Sequence, residues 1–110
     1  MTPMARLTFV ACSLTAALAC TPSAGAAPPD VTAATAGCAA CHAKDKKILG
    51  PSYHDIAVKY KADPQAGVTL AGKVRSGGKG GWGPVPMPAA DAKKISDADL
   101  RAVIDWILKQ

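Results

Sequence analysis

The chain predicts an all-α fold of about four helices, and three observations lead there. Apolar residues recur at helical spacing in two separate segments, 52–61 and 96–109. No segment alternates apolar and polar residues with a period of two over a useful length, which removes a sheet. The stretch 77–95 runs for 19 residues without any periodicity, and a loop of that length in a compact domain has a functional reason. With four aromatic residues beyond the leader, the core is thin for independent stability. Both oddities are resolved if a large apolar cofactor fills the centre and the long loop closes over it.

Residues 1–26 read as a secretory signal peptide that precedes the domain at 27–110. Arg6 opens it, Leu7 to Ala19 form an apolar run of 13 residues, and the stretch ends Ala24-Gly25-Ala26. The run is too short to span a membrane. Cleavage after Ala26 leaves 84 residues, with Cys38 and Cys41 as the only cysteines and Met87 as the only methionine. The alternative is lipoprotein processing at Leu18-Ala19-Cys20, which would lipidate Cys20 and leave a flexible tether. The pattern usual for that processing has leucine where this chain has Ala17.

The helices follow in order. A short first helix is expected from about Asp30 to Ala36, closed by Gly37. In the second, Tyr53, Ile56, Ala57 and Tyr60 fall at i, i+3, i+4 and i+7. Asp63-Pro64 reads as N-cap and first residue of a third, with Val68, Ala71 and Val74 facing inward and Gly77-Gly78 as its stop. The last is the clearest. Ser96 caps it with Asp99 three residues on, and Leu100, Val103, Ile104, Ile107 and Leu108 form one stripe with Trp106 on its flank. Lys109 lies at the favourable end of its dipole.

Residues 38–42 read CAACH, the spacing of c-type haem attachment. Positions i, i+3 and i+4 share one face of a helical turn. Two thiols can therefore each add to a haem vinyl group while the His42 imidazole reaches the iron from the same side. Competing readings are weaker. A thiol–disulfide oxidoreductase places this motif after a strand in a larger α/β domain. A structural zinc site wants four ligands, and Cys38, Cys41, His42 and His54 are all that the domain offers.

The second axial position on iron falls to Met87, His54 or nothing. His54 stands beside the apolar stripe of its helix, where a lone histidine is usually solvated. Met87 stands in GWGPVPMPAAD, with Pro86 and Pro88 on either side. Proline fixes its own backbone and restricts the residue before it. A residue valued for adaptability in cores is thus held rigidly, and a thioether suits iron in a cytochrome, where the methionine–histidine pair raises the potential. Met87 is the expected ligand.

With these residues in view, the chain resembles a small bacterial class I cytochrome c of the c-551 type. GCAACH, ILGPSYHDIAVKY, the glycine-rich turn, GWGPVPMP and the final helix occur in that family's order, from Gly37 to Lys109. The resemblance implies one covalent haem c wrapped by the helices, and no catalytic residues. It implies that Pro51 packs near the proximal imidazole, with the carbonyl of Gly50 or Pro51 accepting from His42 Nδ1, a bond that orients the ring. It also implies that Trp82 donates to a haem propionate, that Arg75 or Lys73 pairs with the propionates, and that the outer helices cross closely at Gly37. Where the family commonly has an aromatic residue in its first helix, this chain has Ala33; either Trp106 fills the space or the helix is short and frayed.

The expected function is a periplasmic, monomeric one-electron carrier serving respiratory or denitrification partners, and not an enzyme. The domain carries 12 Lys and Arg against 8 Asp and no Glu, a moderate charge without the interleaved aromatics of a nucleic-acid surface. Lys44, Lys46 and Lys47, with Lys59, Lys61, Lys93 and Lys94, are expected round the haem edge, where they either steer acidic redox proteins or simply solubilise the surface.

Overall fold

The computed structural model describes residues 25–110. Cys20 and all but the last two residues of the expected leader lie outside that span. Four α-helices are present: α1 (Pro29–Thr35), α2 (Tyr53–Tyr60), α3 (Ala66–Ser76) and α4 (Asp97–Ile107), with one 3-10 turn at Cys38–Ala40 between the first two. Among the described residues the only β pairings are two isolated bridges, His42 with Lys47 and Gly78 with Met87. No helix among them is long and apolar enough to cross a membrane.

The fold is organised on α4. Its inward stripe of Leu100, Val103 and Ile104 is buried with Ala33 and Ile95, and Leu70, Ala71 and Val74 of α3 pack against this cluster. Ala33 is 1% exposed, so the small side chain lets α1 approach α4 closely. Trp106 does not fill that space. It packs edge-on against Tyr53 instead, with ring centroids 5.1 Å apart and planes at 68°. Helix α1 is short, as one of the two expectations had it, but its buried Ala33 fixes it.

Three details differ from the periodicity reading. Helix α3 begins at Ala66, not at Pro64, because the Asp63 carboxylate accepts from Gln65 N at 2.8 Å and closes a turn first. Val68, expected inward, is 75% exposed; only the face carrying Leu70, Ala71 and Val74 meets α4. A Cβ on Gly37 would meet nothing within 4 Å. Glycine there serves the left-handed turn at φ 90° between α1 and the 3-10 turn, while the close crossing is made by Ala33.

Both serine caps are formed. Ser52 accepts from Asp55 N at 3.0 Å and Ser96 from Asp99 N at 3.1 Å, each satisfying an amide that the helix start leaves free. Ser52 is buried and Ser96 is exposed. Ser52→Ala is therefore expected to cost about 1–2 kcal/mol and Ser96→Ala about 0.5–1 kcal/mol. Denaturant midpoints of the two variants measure this, and equal shifts would show that burial of the cap adds nothing.

Candidate functional site

The CAACH segment is a compact turn closed by its own backbone. Cys41 N and His42 N both donate to Cys38 O, at 3.1 and 2.9 Å. This pair of hydrogen bonds to one carbonyl brings residues 38, 41 and 42 to one side of the turn. The cysteines are free thiols, and burial pushes the Cys38 thiol up from its usual pKa. A low-pKa redox cysteine calls for the opposite shift, so the burial of Cys38 does not favour thiol–disulfide exchange there. Among the described residues, no three His, Cys, Asp or Glu side chains gather to hold a bare metal ion.

His42 is oriented from behind. Its Nδ1 donates to Pro51 O at 2.7 Å, which leaves Nε2 as a lone-pair donor to a metal. Of the two carbonyls considered, Pro51 is the acceptor. Gly50 clears the space: a Cβ there would lie 2.7 Å from His42 Cε1, and Gly50 N is itself tied to Cys41 O at 2.7 Å. Tyr53 stacks on the imidazole, centroids 5.7 Å apart and planes at 19°. Burial, and then the nearby Cys38 sulfur, raises the Tyr53 phenol to about 12. The sequence marked Tyr53 only as a stripe residue; its place between His42 and Trp106 depends on contacts far apart in the chain.

Met87 reaches the site from the long loop. Its N–H donates to Gly78 O at 2.8 Å and its carbonyl accepts from Gly78 N at 3.0 Å. Gly77 makes this pairing possible, since a Cβ there would lie 2.6 Å from Met87 O and its φ is +64°. Ala90 N then donates to Val74 O at 2.9 Å, returning the loop to α3.

Between these walls lies a cleft of about 310 Å³. Cys38, Cys41, His42, Pro51, Trp82 and Met87 all line it, as do Tyr53 and apolar side chains of α3 and α4. His54 is exposed on α2 and is not among the lining residues. Arg75, one of the two residues considered for the propionates, is engaged elsewhere. Its guanidinium bonds Ala90 O, Ile95 O and Asp97 Oδ1 and does not line the cleft, whereas Lys73, the alternative, does. Lys59 is also engaged. Its Nζ donates to Gly81 O at 3.1 Å and sits 4.4 Å from the centroid of the Trp82 ring, pinning the glycine-rich turn to α2.

A mostly apolar cleft with two thiols and an oriented imidazole on one wall and a thioether among the others fits a covalently attached haem. An all-α shell round such a cleft defines a small mono-haem electron-transfer protein. The family model described as Cytochrome c matches residues 31–110. The chain is 51% identical over 83 residues to a cytochrome c2 of Rubrivivax gelatinosus, covering 76% of this chain and 98% of that one. It is 39% identical over 87 residues to a cytochrome c-551 of Pseudomonas aeruginosa, covering 79% and 81%. The crystal structure of wild-type Nitrosomonas europaea cytochrome c552 superimposes with a TM-score of 0.67 at 42% identity, covering 73% of this chain and 96% of that one. The chain belongs to the cytochrome c family, binds haem c covalently, and is an electron carrier, not an enzyme.

Replacing Lys59 by Ala removes the bond to Gly81 O and the contact with Trp82 together. The expected cost is about 1–2 kcal/mol at this exposed position, with faster amide exchange confined to residues 79–83. Exchange measured by NMR checks this; unchanged protection there would show that the turn holds itself.

Proposed function

We propose that the protein is a periplasmic one-electron carrier whose haem iron is bound by His42 and Met87 and whose haem is anchored by thioethers from Cys38 and Cys41. The observation that carries this reading is that His42 and Met87 wall the same apolar cleft while His54 does not. When bound, haem c supplies an iron that takes up and gives back one electron. The chain's part is to hold still around it. Pro51 fixes the imidazole tautomer and ring angle through His42 Nδ1. Pro86, Pro88 and the pairing with Gly78 fix the Met87 backbone. An iron held by both His42 and Met87 would have no place left for a substrate or for oxygen.

Trp82 and Lys73 line the cleft and are proposed to meet the propionates, with Lys73 in the place first considered for Arg75. Leu49, Trp82 and Val85 are exposed and also line the cleft, so they would form the apolar rim at which a redox partner docks. Lys44, Lys46, Lys47, Lys61, Lys93 and Lys94 are exposed and would steer an acidic partner in the respiratory or denitrification classes. Periplasmic location rests on the leader pattern of residues 1–26, and a monomer is the proposed working form.

The deciding experiment is the visible spectrum of oxidised and reduced holoprotein, with carbon monoxide added to the reduced form. Wild type is expected to show a weak red thioether-to-ferric band and no prompt carbon monoxide binding. Met87→Ala should lose the band and bind carbon monoxide. A wild type without the band that binds carbon monoxide promptly would mean an open iron and would remove the carrier reading.

Steering has its own test, the rate of oxidation of the reduced protein by hexacyanoferrate(III), a small anion. Replacing Lys44, Lys46 and Lys47 together by Glu should slow it several-fold, by about 3- to 10-fold, at low ionic strength and by little at high salt. A rate equal to wild type at low salt would leave these lysines as solubilising charge.

A further inference from the structure

We propose that Arg75 is the positioning residue for the methionine side of the iron, clamping the loop that follows Met87 to both α3 and α4. The proposal rests on the reading that Met87 is the axial ligand. Arg75 lies in the last turn of α3, on the same stretch that ends in the Gly77-Gly78 bridgehead. Its Nη1 donates to Ala90 O at 3.1 Å and to Ile95 O at 2.9 Å. Its Nη2 donates to Asp97 Oδ1 at 2.6 Å, in the first turn of α4. One planar side chain therefore joins three segments: the end of α3, the loop three residues beyond Met87, and the junction of that loop with α4.

Few other bonds compete for this task. Pro84, Pro86 and Pro88 remove amide donors from the loop. Beyond the Met87–Gly78 pairing, the bond from Ala90 N to Val74 O is the one that returns the backbone to α3. The two carbonyl bonds of Arg75 are charge-assisted and partly shielded, with the side chain 26% exposed. The Asp97 pair is weaker support, because Asp97 is 88% exposed and such pairs stabilise little. Holding two carbonyls and a carboxylate at once uses the forked donors of a guanidinium, which a lysine ammonium does not reproduce. The loop is thus locked from behind while Met87 faces the cleft.

The test is displacement of the methionine by external imidazole in oxidised holoprotein, a reaction that requires the loop to open. It is followed by loss of the red band. Loss of the two carbonyl bonds in Arg75→Gln is expected to raise the displacement rate by about tenfold. Amide exchange at Met87 and Ala90, the donors to Gly78 O and Val74 O, should rise with it. Arg75→Lys should fall between wild type and Arg75→Gln, by about threefold. Asp97→Asn, which disturbs only the exposed pair, should stay within about twofold of wild type.

A purely structural role for Arg75 would lower the denaturation midpoint without changing displacement or local exchange in the native range. Native rates for Arg75→Gln, in a protein with a normal red band, would overturn the proposal and leave Met87 ligation standing. If Arg75→Gln yields no holoprotein, Arg75→Lys decides alone, and a rate equal to wild type overturns the proposal. A wild type lacking the band would overturn Met87 ligation itself, and the proposal with it.

Discussion

Besides Pro51, nine apolar side chains are buried among the described residues, and three of them, Ala33, Ala57 and Ala66, are alanines. A chain this short with so small a core has little hydrophobic stabilisation to set against the entropy of ordering it. What remains is an apolar cleft whose lining reaches from Ala36 to Ile107. Filling it with a covalently held haem buries the faces of α3 and α4 that the side chains leave uncovered. The tether matters for the same reason: a cofactor that completes the core cannot be allowed to leave. The Ser52 cap, the Ala33 crossing and the Tyr53–Trp106 contact all place walls round that one volume.

The two sides of the cleft are built by different means. On the histidine side, a tight turn, a glycine without a clashing Cβ and one carbonyl acceptor fix a single ring. On the methionine side there is almost no regular structure. Order comes there from proline, from one two-residue bridge to Gly78, and from side chains that reach across from the helices. Lys59 pins Gly81 from α2, and Arg75 pins Ala90 and Ile95 from α3. A loop held in this way is rigid without paying for a sheet, and its contour can follow the cofactor.

How much of this was legible in the sequence depended on distance along the chain. The helices were readable because caps and stripes are local: Ser96 with Asp99, and Leu100 with Val103 and Ile104, lie within two turns. CAACH was readable because its chemistry fixes its spacing. The start of α3 was misplaced because Asp63 can cap a helix or close a turn, and the backbone chose the turn. Val68 was misplaced because periodicity shows a stripe without showing how much of it a neighbour covers. Arg75 and Lys59, considered for a propionate and for the haem edge, turn out to bond loop carbonyls. Their acceptors lie 15 to 22 residues away, and no pattern in the chain links a long basic side chain to a distant carbonyl.

Those two cations bear on electron transfer. Moving one electron changes the charge at the iron by one unit, and any ligand that shifts in response adds to the barrier. On the proposed function, the groups that resist such a shift are mostly backbone carbonyls held by cations or by the imidazole N–H. These are dipoles already oriented by the fold, so little reorganises when the charge changes. Two kinds of basic residue can then be told apart. Arg75 and Lys59 have carbonyl partners in the frame, whereas Lys44, Lys46 and Lys47 are exposed and, on the proposed function, would be available to a partner. The division follows from geometry: a side chain whose donors are taken up by the fold keeps its charge but is held in place, whereas one without an acceptor is free to reach outward.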